Sequence, residues 1–302
     1  MTITIEEVIP KIDDWRHKQV EIYEMTGGLT NKNYRVEVEG CSYFVRVPGA
    51  STELLAVNRD NEYHSSKVAA DAGVGPEVLY HLPDHKVMVL EFLQGETMSI
   101  ETLQAPGMPT RIAQSLKILH SGAKCLDDFN MFRLVDFYMG IVEEHAVRIP
   151  DGYRSRMSVL GEIEGALAVN SLDTVPCNND LLAENYIDDG QMLWLIDFEY
   201  SGNNDPCFEL GNTCQEQQYN EDQYAELCAA YFGEPRRHLL ARMYLFSVMS
   251  DFGWTLWGSI QNKISKVDYD FWEYAMGRWE RCLGMLDSQK FPVWIEDARR
   301  DD

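Results

Sequence analysis

Asp180, Asn185 and Asp197 are the side chains whose types and spacing in this sequence best suit chemistry. Asp197 ends the apolar run Met192–Ile196, so its carboxylate leaves a buried strand at a point where a charge needs a partner. Oxygen ligands of this kind suit Mg²⁺, which keeps water and substrate phosphate in its remaining positions. Asp180 then lies close enough to orient a hydroxyl group above a metal-bound phosphate. Together the three side chains indicate phosphoryl transfer, in which positioning and electrostatics do most of the work.

A β-hairpin is the element that must bring these three side chains together. The sequence predicts strands over Asn185–Ile187 and Met192–Ile196, joined by a two-residue turn at Asp189-Gly190. That turn pairs residue 187 with 192, 186 with 193 and 185 with 194, and the open end of the hairpin holds the candidate ligands. Each of the three taken singly is explained as well by a turn cap or a strand end, but the ordered set favours a metal site.

The other elements place this hairpin in the second of two unlike regions. Before Gln94 the sequence has short runs rich in Val, Tyr and Phe, which are typical of strands. After Gln94 the apolar residues recur mainly at the spacing of helices. The expected fold class is α+β, a small antiparallel sheet followed by a larger helical part, with a ligand cleft between them. The predicted strands of the first region are Glu21–Met25, Tyr34–Val38, Tyr43–Val47, Val78–His81 and Val87–Phe92, and the predicted helices are Glu53–Ala72, Pro109–Ser121, Val135–Ile149, Met157–Val169, Asp222–Phe232, Arg236–Asn262 and Tyr269–Leu286.

Charge and composition exclude several classes of function. The 302 residues include 26 Lys+Arg and 49 Asp+Glu, a formal net charge of −23, which disfavours nucleic acid and acidic membrane surfaces as partners. The same charge suits a cationic small substrate, although solubility alone also explains an acidic chain. No apolar run approaches the ~20 residues that cross a bilayer. Met1–Pro10 lacks the features of a secretory signal, and the seven cysteines include no Cys-x-x-Cys pair, so we expect a cytoplasmic protein with reduced thiols.

Two segments carry a resemblance to a known family. Pro176–Asn185 reads PCNNDLLAEN and Leu195–Tyr200 reads LIDFEY. They resemble the catalytic and metal-binding motifs of the choline/ethanolamine kinases, relatives of the aminoglycoside phosphotransferases with a protein-kinase-like bilobal fold. The resemblance implies an N-terminal nucleotide-binding lobe over 1–93 and a C-terminal catalytic and substrate-binding lobe over 94–302. It also implies that Asp180 is the catalytic base, that Asn185 and Asp197 bind magnesium and that Glu199 assists at the metal.

The N-terminal lobe offers candidate ATP-binding residues. Thr26–Asn31 lies between two predicted strands and resembles the family's phosphate-covering loop, although a Gly-Gly pair alone is more often only a turn. Strand alternation places Arg46 on the face opposite its apolar neighbours, so that it can point into the cleft, with Glu62 as its expected partner. Glu91–Leu93 resembles the linker between the lobes that receives adenine. The resemblance thus implies ATP binding by Gly27, Gly28, Asn31, Arg46, Glu62, Glu91 and Leu93.

A predicted helix with two tryptophans offers a substrate pocket. Trp254–Ser265 resembles the tryptophan-bearing helix of choline kinases, and Trp254 and Trp257 are three residues apart on one helix face. A quaternary ammonium over such rings gains about 0.5–2 kcal/mol by cation–π attraction. The alternative is a stripe of core tryptophans, the commoner origin of such spacing. The resemblance implies substrate contacts for Glu216, Tyr219, Trp254, Trp257 and Tyr274.

These observations lead to one expected function and two alternatives. We expect ATP- and magnesium-dependent phosphoryl transfer to the hydroxyl group of choline, ethanolamine or a similar amino alcohol. The first alternative is a kinase for another small alcohol, such as thiamine or an aminoglycoside. The second is a weakly active nucleotide- or choline-binding relative. It is suggested by Asn178, because the resemblance implies a mainly structural His at this position, and we expect Asn to keep only part of the hydrogen bonding of that His.

Overall fold

Two regions of different secondary structure make up the chain, and the predicted α+β class is confirmed. The computed structural model describes residues 3–25, 28–49 and 52–300. The strands are β1 Val20–Met25, β2 Asn31–Val38, β3 Cys41–Pro48, β4 Val78–Leu82, β5 Val87–Glu91, β6 Glu96–Thr97, β7 Val175–Cys177, β8 Tyr186–Asp188, β9 Leu193–Leu195 and β10 Gly202–Asn204. The helices are α1 Ile5–Val8, α2 Arg59–Ala72, α3 Ile100–Leu103, α4 Met108–His120, α5 Met131–Glu144, α6 Tyr153–Arg156, α7 Val159–Leu167, α8 Pro206–Glu216, α9 Glu221–Phe232, α10 Arg237–Ile264, α11 Phe271–Leu286 and α12 Phe291–Asp297.

The N-terminal sheet is built from strands whose apolar residues alternate. Its strand order is β1-β2-β3-β5-β4, and every neighbouring pair is antiparallel. Val36, Val45 and Val47 are at most 1% exposed and pack with Trp15 on one face. Since side chains alternate along a strand, Arg46 lies on the other face, where it contacts the C-terminal region as the sequence predicts.

Helix α2 begins later than the sequence predicts. The helix expected over Glu53–Ala72 begins at Arg59, because the Asn58 side chain accepts backbone N–H groups of the first turn and caps the helix there. Thr52–Leu55 forms a separate 3₁₀ turn. The predicted end is confirmed: Gly73 follows Ala72 with φ +80°, the left-handed conformation that favours glycine.

The C-terminal region packs around α10, which contains the longest apolar stretch of the sequence. Helices α5, α8, α11 and α12 all contact it. Every residue from Leu245 to Ile260 is buried, so this part of α10 is surrounded by the core on all sides. In the part of the chain that the structure describes, no helix is long and apolar enough to cross a membrane.

The hairpin of β8 and β9 is present, but its predicted register is wrong by two residues. The structure pairs residue 186 with 195, 187 with 194 and 188 with 193. The reason is the Asp189 carboxylate, which accepts the N–H groups of Gln191 and Met192 at 2.7 and 2.8 Å. Asp189 therefore starts the turn instead of filling its centre. Because the shift is an even number of residues, each side chain keeps its face.

The hairpin is fixed between the two regions. β8 pairs on its other side with β6, shortly after the segment that joins the regions. The Leu195 N–H donates to the Val74 carbonyl, just beyond α2, at 2.8 Å. A Cβ at Gly75 would collide with α2 and crowd Phe198, so glycine allows this close approach. The loop that begins at Asp197 is therefore held against both regions.

Candidate active site

The loop after β7 carries Asp180 and is shaped by a buried glutamate that the sequence analysis did not identify. Glu209 on α8 is 0% exposed, and its Oε1 accepts the N–H groups of Asn178 at 2.6 Å and Asn179 at 2.8 Å. Asn179 has φ +69°, a left-handed conformation that Asn tolerates. A carboxylate that accepts two backbone N–H groups fixes the path of this turn, and therefore the position of Asp180.

The other oxygen of Glu209 binds a histidine on α4. Glu209 Oε2 pairs with His120 Nε2, and His120 Nδ1 lies 2.6 Å from the Tyr231 hydroxyl on α9. The Cys177 Sγ is 3.6 Å from the same His120 Nε2. His120, Cys177 and Glu209 could together ligate a metal by type, but both Glu209 oxygens already have hydrogen-bond partners, and burial raises the pKa of the Cys177 thiol well above its ordinary value. The group is therefore a hydrogen-bonded support for the Asp180 loop.

The Asn178 side chain connects the Asp180 loop with the Asp197 loop. Its Oδ1 accepts the Asp180 N–H at 3.1 Å, and its Nδ2 donates to the carbonyl oxygens of Ile196 at 3.2 Å and Asp197 at 2.8 Å. The residue is completely buried. Asn178 thus makes the kind of structural hydrogen bonds that the sequence analysis expected it to keep.

The two candidate metal ligands lie on the loops that Asn178 joins: Asn185 follows Asp180 on the first loop, and Asp197 begins the second. The Asn185 Nδ2 donates to the Asp180 carbonyl at 2.7 Å, which leaves the Asn185 Oδ1 for another partner. Asp197 has φ +62°, and its Oδ2 pairs with Arg46, whereas its buried Oδ1 has no hydrogen-bond partner among the described residues. A buried oxygen without a partner is costly, and with an amide oxygen it forms a donor set that Mg²⁺ takes. The residues present therefore fit the metal.

Asp180 stands in a strongly acidic environment. Burial raises the pKa of the Asp180 carboxyl well above its ordinary value, and the charges of Glu216, Asp197 and Glu199 raise it further. The charge of Arg278 acts in the opposite direction. An added cation among these acids favours the ionised form of Asp180, so the electrostatics suit a site that is completed by cations.

Arg46 and Glu62 form the buried ion pair that the sequence predicts. Arg46 Nη1 lies 2.5 Å from Glu62 Oε1, its Nη2 pairs with Asp197, and both Arg46 and Glu62 are at most 5% exposed. Burial lowers the pKa of Arg46, but the charges of Asp197 and Glu62 outweigh burial and raise it. The pair holds the guanidinium beside Asp197, the candidate metal ligand, and phosphate binding by Arg46 stays a prediction.

Glu199 is held by the N-terminal region. Its Oε1 accepts from the Thr30 hydroxyl at 2.7 Å, and its Oε2 accepts from Asn31 Nδ2 at 2.9 Å and Arg59 Nη1 at 3.1 Å. The sequence analysis missed Arg59, which also pairs with Glu62 at 2.6 Å. The role of Glu199 at the metal stays a prediction, and its contacts join the Asn31 segment to the Asp197 loop.

The predicted phosphate-covering loop is described only in part. Gly27 lies outside the described residues. A Cβ on Gly28 would collide with the Asn31 carbonyl, so this close approach requires glycine. Glu91 ends β5, and the half-buried Leu93 follows in the segment that joins the two regions. Adenine binding at that segment stays a prediction.

The tryptophans of α10 belong to an aromatic cluster near Asp180. Trp254 contacts Tyr200 edge-on, with ring centroids 4.9 Å apart, and Trp257 Nε1 donates to the Tyr200 hydroxyl at 2.7 Å. The rings of Trp257 and Tyr274 are 5.5 Å apart. Burial, and then nearby charges that include Asp180, raise the pKa of Tyr200 and Tyr274. The sequence analysis missed Tyr200 as a cluster member, although it ends the LIDFEY segment.

Glu216 also lies near Asp180, but it is paired with an arginine that was not predicted to belong to the site. Arg278 on α11 contacts both Glu216 oxygens, with Nη2 2.7 Å from Oε2, and both residues are 5% exposed. The Arg278 guanidinium lies 4.7 Å from the centre of the Tyr274 ring and 3.4 Å from Asp251 Oδ1. The acid expected near a substrate cation is therefore already neutralised by the protein.

The predicted substrate contact of Tyr219 is not supported by its position. Its hydroxyl donates to the Leu103 carbonyl at 2.8 Å, and its side chain lines a separate cavity of about 300 Å³ with Tyr244 and Trp294. Gln218, just before it, has φ +53° in the turn after α8. The contacts of Tyr219 therefore lie outside the aromatic cluster, and its role as a substrate residue stays a prediction.

Known proteins resemble this chain over most of its length. A solved choline/ethanolamine kinase family protein from Mesorhizobium loti is 35% identical, with a TM-score of 0.85 and 96% of each chain covered. Choline kinase LicA from Streptococcus pneumoniae is 26% identical, with a TM-score of 0.79 over 93% of this chain and 98% of that chain. Ethanolamine kinase 2 from Rattus norvegicus is 28% identical over 88% of this chain and 76% of its own length.

A family model described as choline/ethanolamine kinase matches residues 22–233. The chain belongs to the choline/ethanolamine kinase family. It is therefore a small-molecule kinase. The kinase-like fold is confirmed as well, because aminoglycoside phosphotransferase APH(4)-Ia, at 14% identity, shares it with a TM-score of 0.66 over 94% of this chain and 98% of that chain.

Proposed function

We propose that this kinase transfers the γ-phosphoryl group of ATP to the hydroxyl group of choline, ethanolamine or a similar amino alcohol, with Mg²⁺ as the metal. The observation that carries the proposal is the convergence of Asp180, Asn185 and Asp197 near an aromatic cluster. Hydrogen bonds through Asn178 join the loops that bear them. A base, a metal site and a surface for an organic cation are the parts that this reaction requires.

Asp180 is proposed to orient the substrate hydroxyl and to accept its proton as the oxygen attacks phosphorus. Glu209 holds the backbone before Asp180, so the carboxylate does not have to be ordered when substrate binds. Mg²⁺ held by Asn185 and Asp197 would neutralise charge on the phosphate oxygens. The hydrogen bonds of Asn178 favour an active enzyme over a weakly active relative, because they hold the Asp180 and Asp197 loops in one arrangement.

ATP is proposed to bind between an N-terminal lobe, 1–93, and a C-terminal lobe, 94–302. The strands of the N-terminal sheet have an apolar core of their own around Trp15, which supports a separate lobe, while Leu55, Ala69 and Val74 join the core around α10. Arg46 and Arg59 bring positive charge to an otherwise acidic boundary. The Arg59 Nε and Nη2 are buried without hydrogen-bond partners among the described residues, so they can donate to phosphate oxygens. The cytoplasm, where ATP is available, is the proposed location.

The aromatic cluster is proposed to hold the cationic end of the substrate. Trp257, Tyr200 and Tyr274 provide ring faces and edges on one side of Asp180. An aminoglycoside carries several ammonium groups and needs several free acids in its pocket. Because Glu216 is already paired with Arg278, the pocket favours a small amino alcohol with one cation.

An assay of ADP release over choline, ethanolamine, thiamine and an aminoglycoside, with and without Mg²⁺, tests the proposal. Asp180→Asn keeps the size of the side chain but removes the charge, and we expect kcat to fall at least about 100-fold while ATP still binds. Asp173→Asn, at an exposed position before β7, is the matched control. An Asp180→Asn variant with the activity of the wild type would refute the proposed role.

A further inference from the structure

We infer that the substrate pocket selects a fully methylated ammonium group over a primary one, and that Arg278 determines this preference. The inference rests on the proposed function, because it concerns the cation held at the same site. It follows from the number of hydrogen-bond acceptors that are free in the pocket. The acidic composition of the chain suggests many free acceptors, but the structure shows few near the aromatic cluster.

The two kinds of cation need different surroundings. A primary ammonium has three N–H donors, and each of them costs free energy if it is taken out of water without an acceptor. A trimethylammonium group has no donor and is held by aromatic faces and by charge alone. A pocket with many free acceptors therefore favours ethanolamine, and a pocket of rings with few acceptors favours choline.

Both oxygens of the acid in the pocket are already bound by an arginine, which also neutralises its charge. Arg278 donates to both Glu216 oxygens, and Asn212 Nδ2 lies 3.4 Å from Glu216 Oε1. Asp251, behind this pair, is bound by Arg281 at 2.5 Å and by Arg278 at 3.4 Å. The four charged side chains form a neutral group of two acids and two bases, all held by one another.

The Tyr200 hydroxyl of the aromatic cluster is committed as well. Trp257 Nε1 donates to the Tyr200 hydroxyl, which is hydrogen-bonded to the Tyr138 hydroxyl, and Tyr138 donates to the Leu55 carbonyl at 3.0 Å. The Tyr200 and Tyr138 oxygens therefore each already accept a hydrogen bond. The Trp254 indole can only donate. Apart from Asp180, which is proposed to bind the hydroxyl end, this part of the pocket offers mainly rings.

A series of amino alcohols that differ by one methyl group tests the preference. We expect kcat/KM of the wild type to rise from ethanolamine through N-methyl- and N,N-dimethylethanolamine to choline, with choline at least about tenfold above ethanolamine, or about 1.4 kcal/mol. ADP release is measured for each substrate at saturating ATP and Mg²⁺.

Arg278→Gln tests the cause of the preference. This change releases the Glu216 carboxylate, which can then accept from a primary ammonium, so the ratio of kcat/KM for choline over ethanolamine should fall about tenfold. The double variant Arg278→Gln/Glu216→Gln is the matched control, because it removes both charges and keeps the pocket neutral, and its ratio should stay near that of the wild type. Damage that is merely structural lowers activity with both substrates and leaves the ratio unchanged.

The outcomes separate the inference from the function on which it rests. A wild type that prefers ethanolamine, or an Arg278→Gln variant with an unchanged ratio, overturns the inference and leaves the kinase activity standing. ADP release with none of the amino alcohols overturns the proposed function instead. If Arg278→Gln does not fold, as judged by thermal unfolding, the methylation series of the wild type still decides the preference.

Discussion

Replacement of Glu209 by Gln tests whether a buried charge sets the position of the Asp180 loop. In the native protein Glu209 Oε1 accepts the N–H groups of Asn178 and Asn179, and Oε2 binds His120. Gln has nearly the same size but keeps one neutral oxygen and turns the other into an amide donor. Two backbone hydrogen bonds to a charged acceptor therefore become bonds to a neutral one.

The expected size of the effect follows from these two bonds. A hydrogen bond to a charged group contributes about 1.5–3 kcal/mol, against about 0.5–1.5 kcal/mol between neutral groups. A loss of about 1 kcal/mol for each bond amounts to about 2 kcal/mol, or roughly thirtyfold in the equilibrium between the native loop and a displaced one. We expect kcat to fall by up to that factor, because only the fraction of molecules with the native loop is active. KM for ATP should change little, because Arg46 and Glu199 do not contact Glu209 among the described residues.

Steady-state ADP release, measured together with thermal unfolding, separates the two possible roles of Glu209. Glu226→Gln on α9 is the matched control, since Glu226 accepts one hydrogen bond from Thr110 at 2.9 Å and no backbone group of the Asp180 loop. It should leave kcat unchanged. A Glu209→Gln variant that unfolds at a lower temperature but keeps the kcat of the wild type would show that the charge stabilises the fold without positioning Asp180.

Three further changes probe the other parts of the site. Asn178→Ala leaves the Asp180 N–H and two carbonyl groups without their hydrogen-bond partner, at a cost of roughly 1 kcal/mol each. Both the unfolding temperature and kcat should therefore fall. A variant with the unfolding temperature and kcat of the wild type would contradict the role of Asn178 in joining the two loops. Asn185→Ala removes a proposed metal ligand, so the Mg²⁺ concentration that gives the half-maximal rate should rise at least about tenfold in a magnesium titration. Removal of the metal by EDTA should abolish the activity of the wild type. Trp254→Ala should raise KM for choline more than KM for ATP, and equal effects on both would count against an aromatic site for the cation.

The site residues that the sequence could predict are those ordered by a short stretch of chain. Asp180 and Asn185 lie within one loop, and one hairpin returns the chain to Asp197, so residue order alone indicates that they meet. Arg46 was placed by the two-residue period of β3, which directs its neighbours Val45 and Val47 into the apolar core. In each case a local rule of geometry is sufficient.

The residues that the sequence analysis missed are those whose partners are far along the chain. Glu209 binds a backbone group 31 residues away, Arg278 binds an acid 62 residues away and Arg59 binds Glu199 across 140 residues. No local period indicates such partners. The usable signal was a charge inside an apolar stretch, as with Asp251 in α10, because a buried charge requires a partner of opposite sign. That signal predicts that a partner exists but not which residue it is.

The error in the hairpin register shows what positions the candidate ligands. The register is shifted by two residues from the prediction, yet Asn185 and Asp197 still lie on the connected loops. An even shift preserves the faces of the strands, and the observed register continues past β8 and β9: Ile196 N–H donates to the Asn185 carbonyl at 3.0 Å, so Asn185 lies opposite the residue before Asp197. Beyond this pair, Asn178 donates to the Asp197 carbonyl at 2.8 Å. The proposed metal site therefore depends on both features: the hairpin register brings Asn185 beside Asp197, and the Asn178 side chain joins the Asp197 loop to the Asp180 loop.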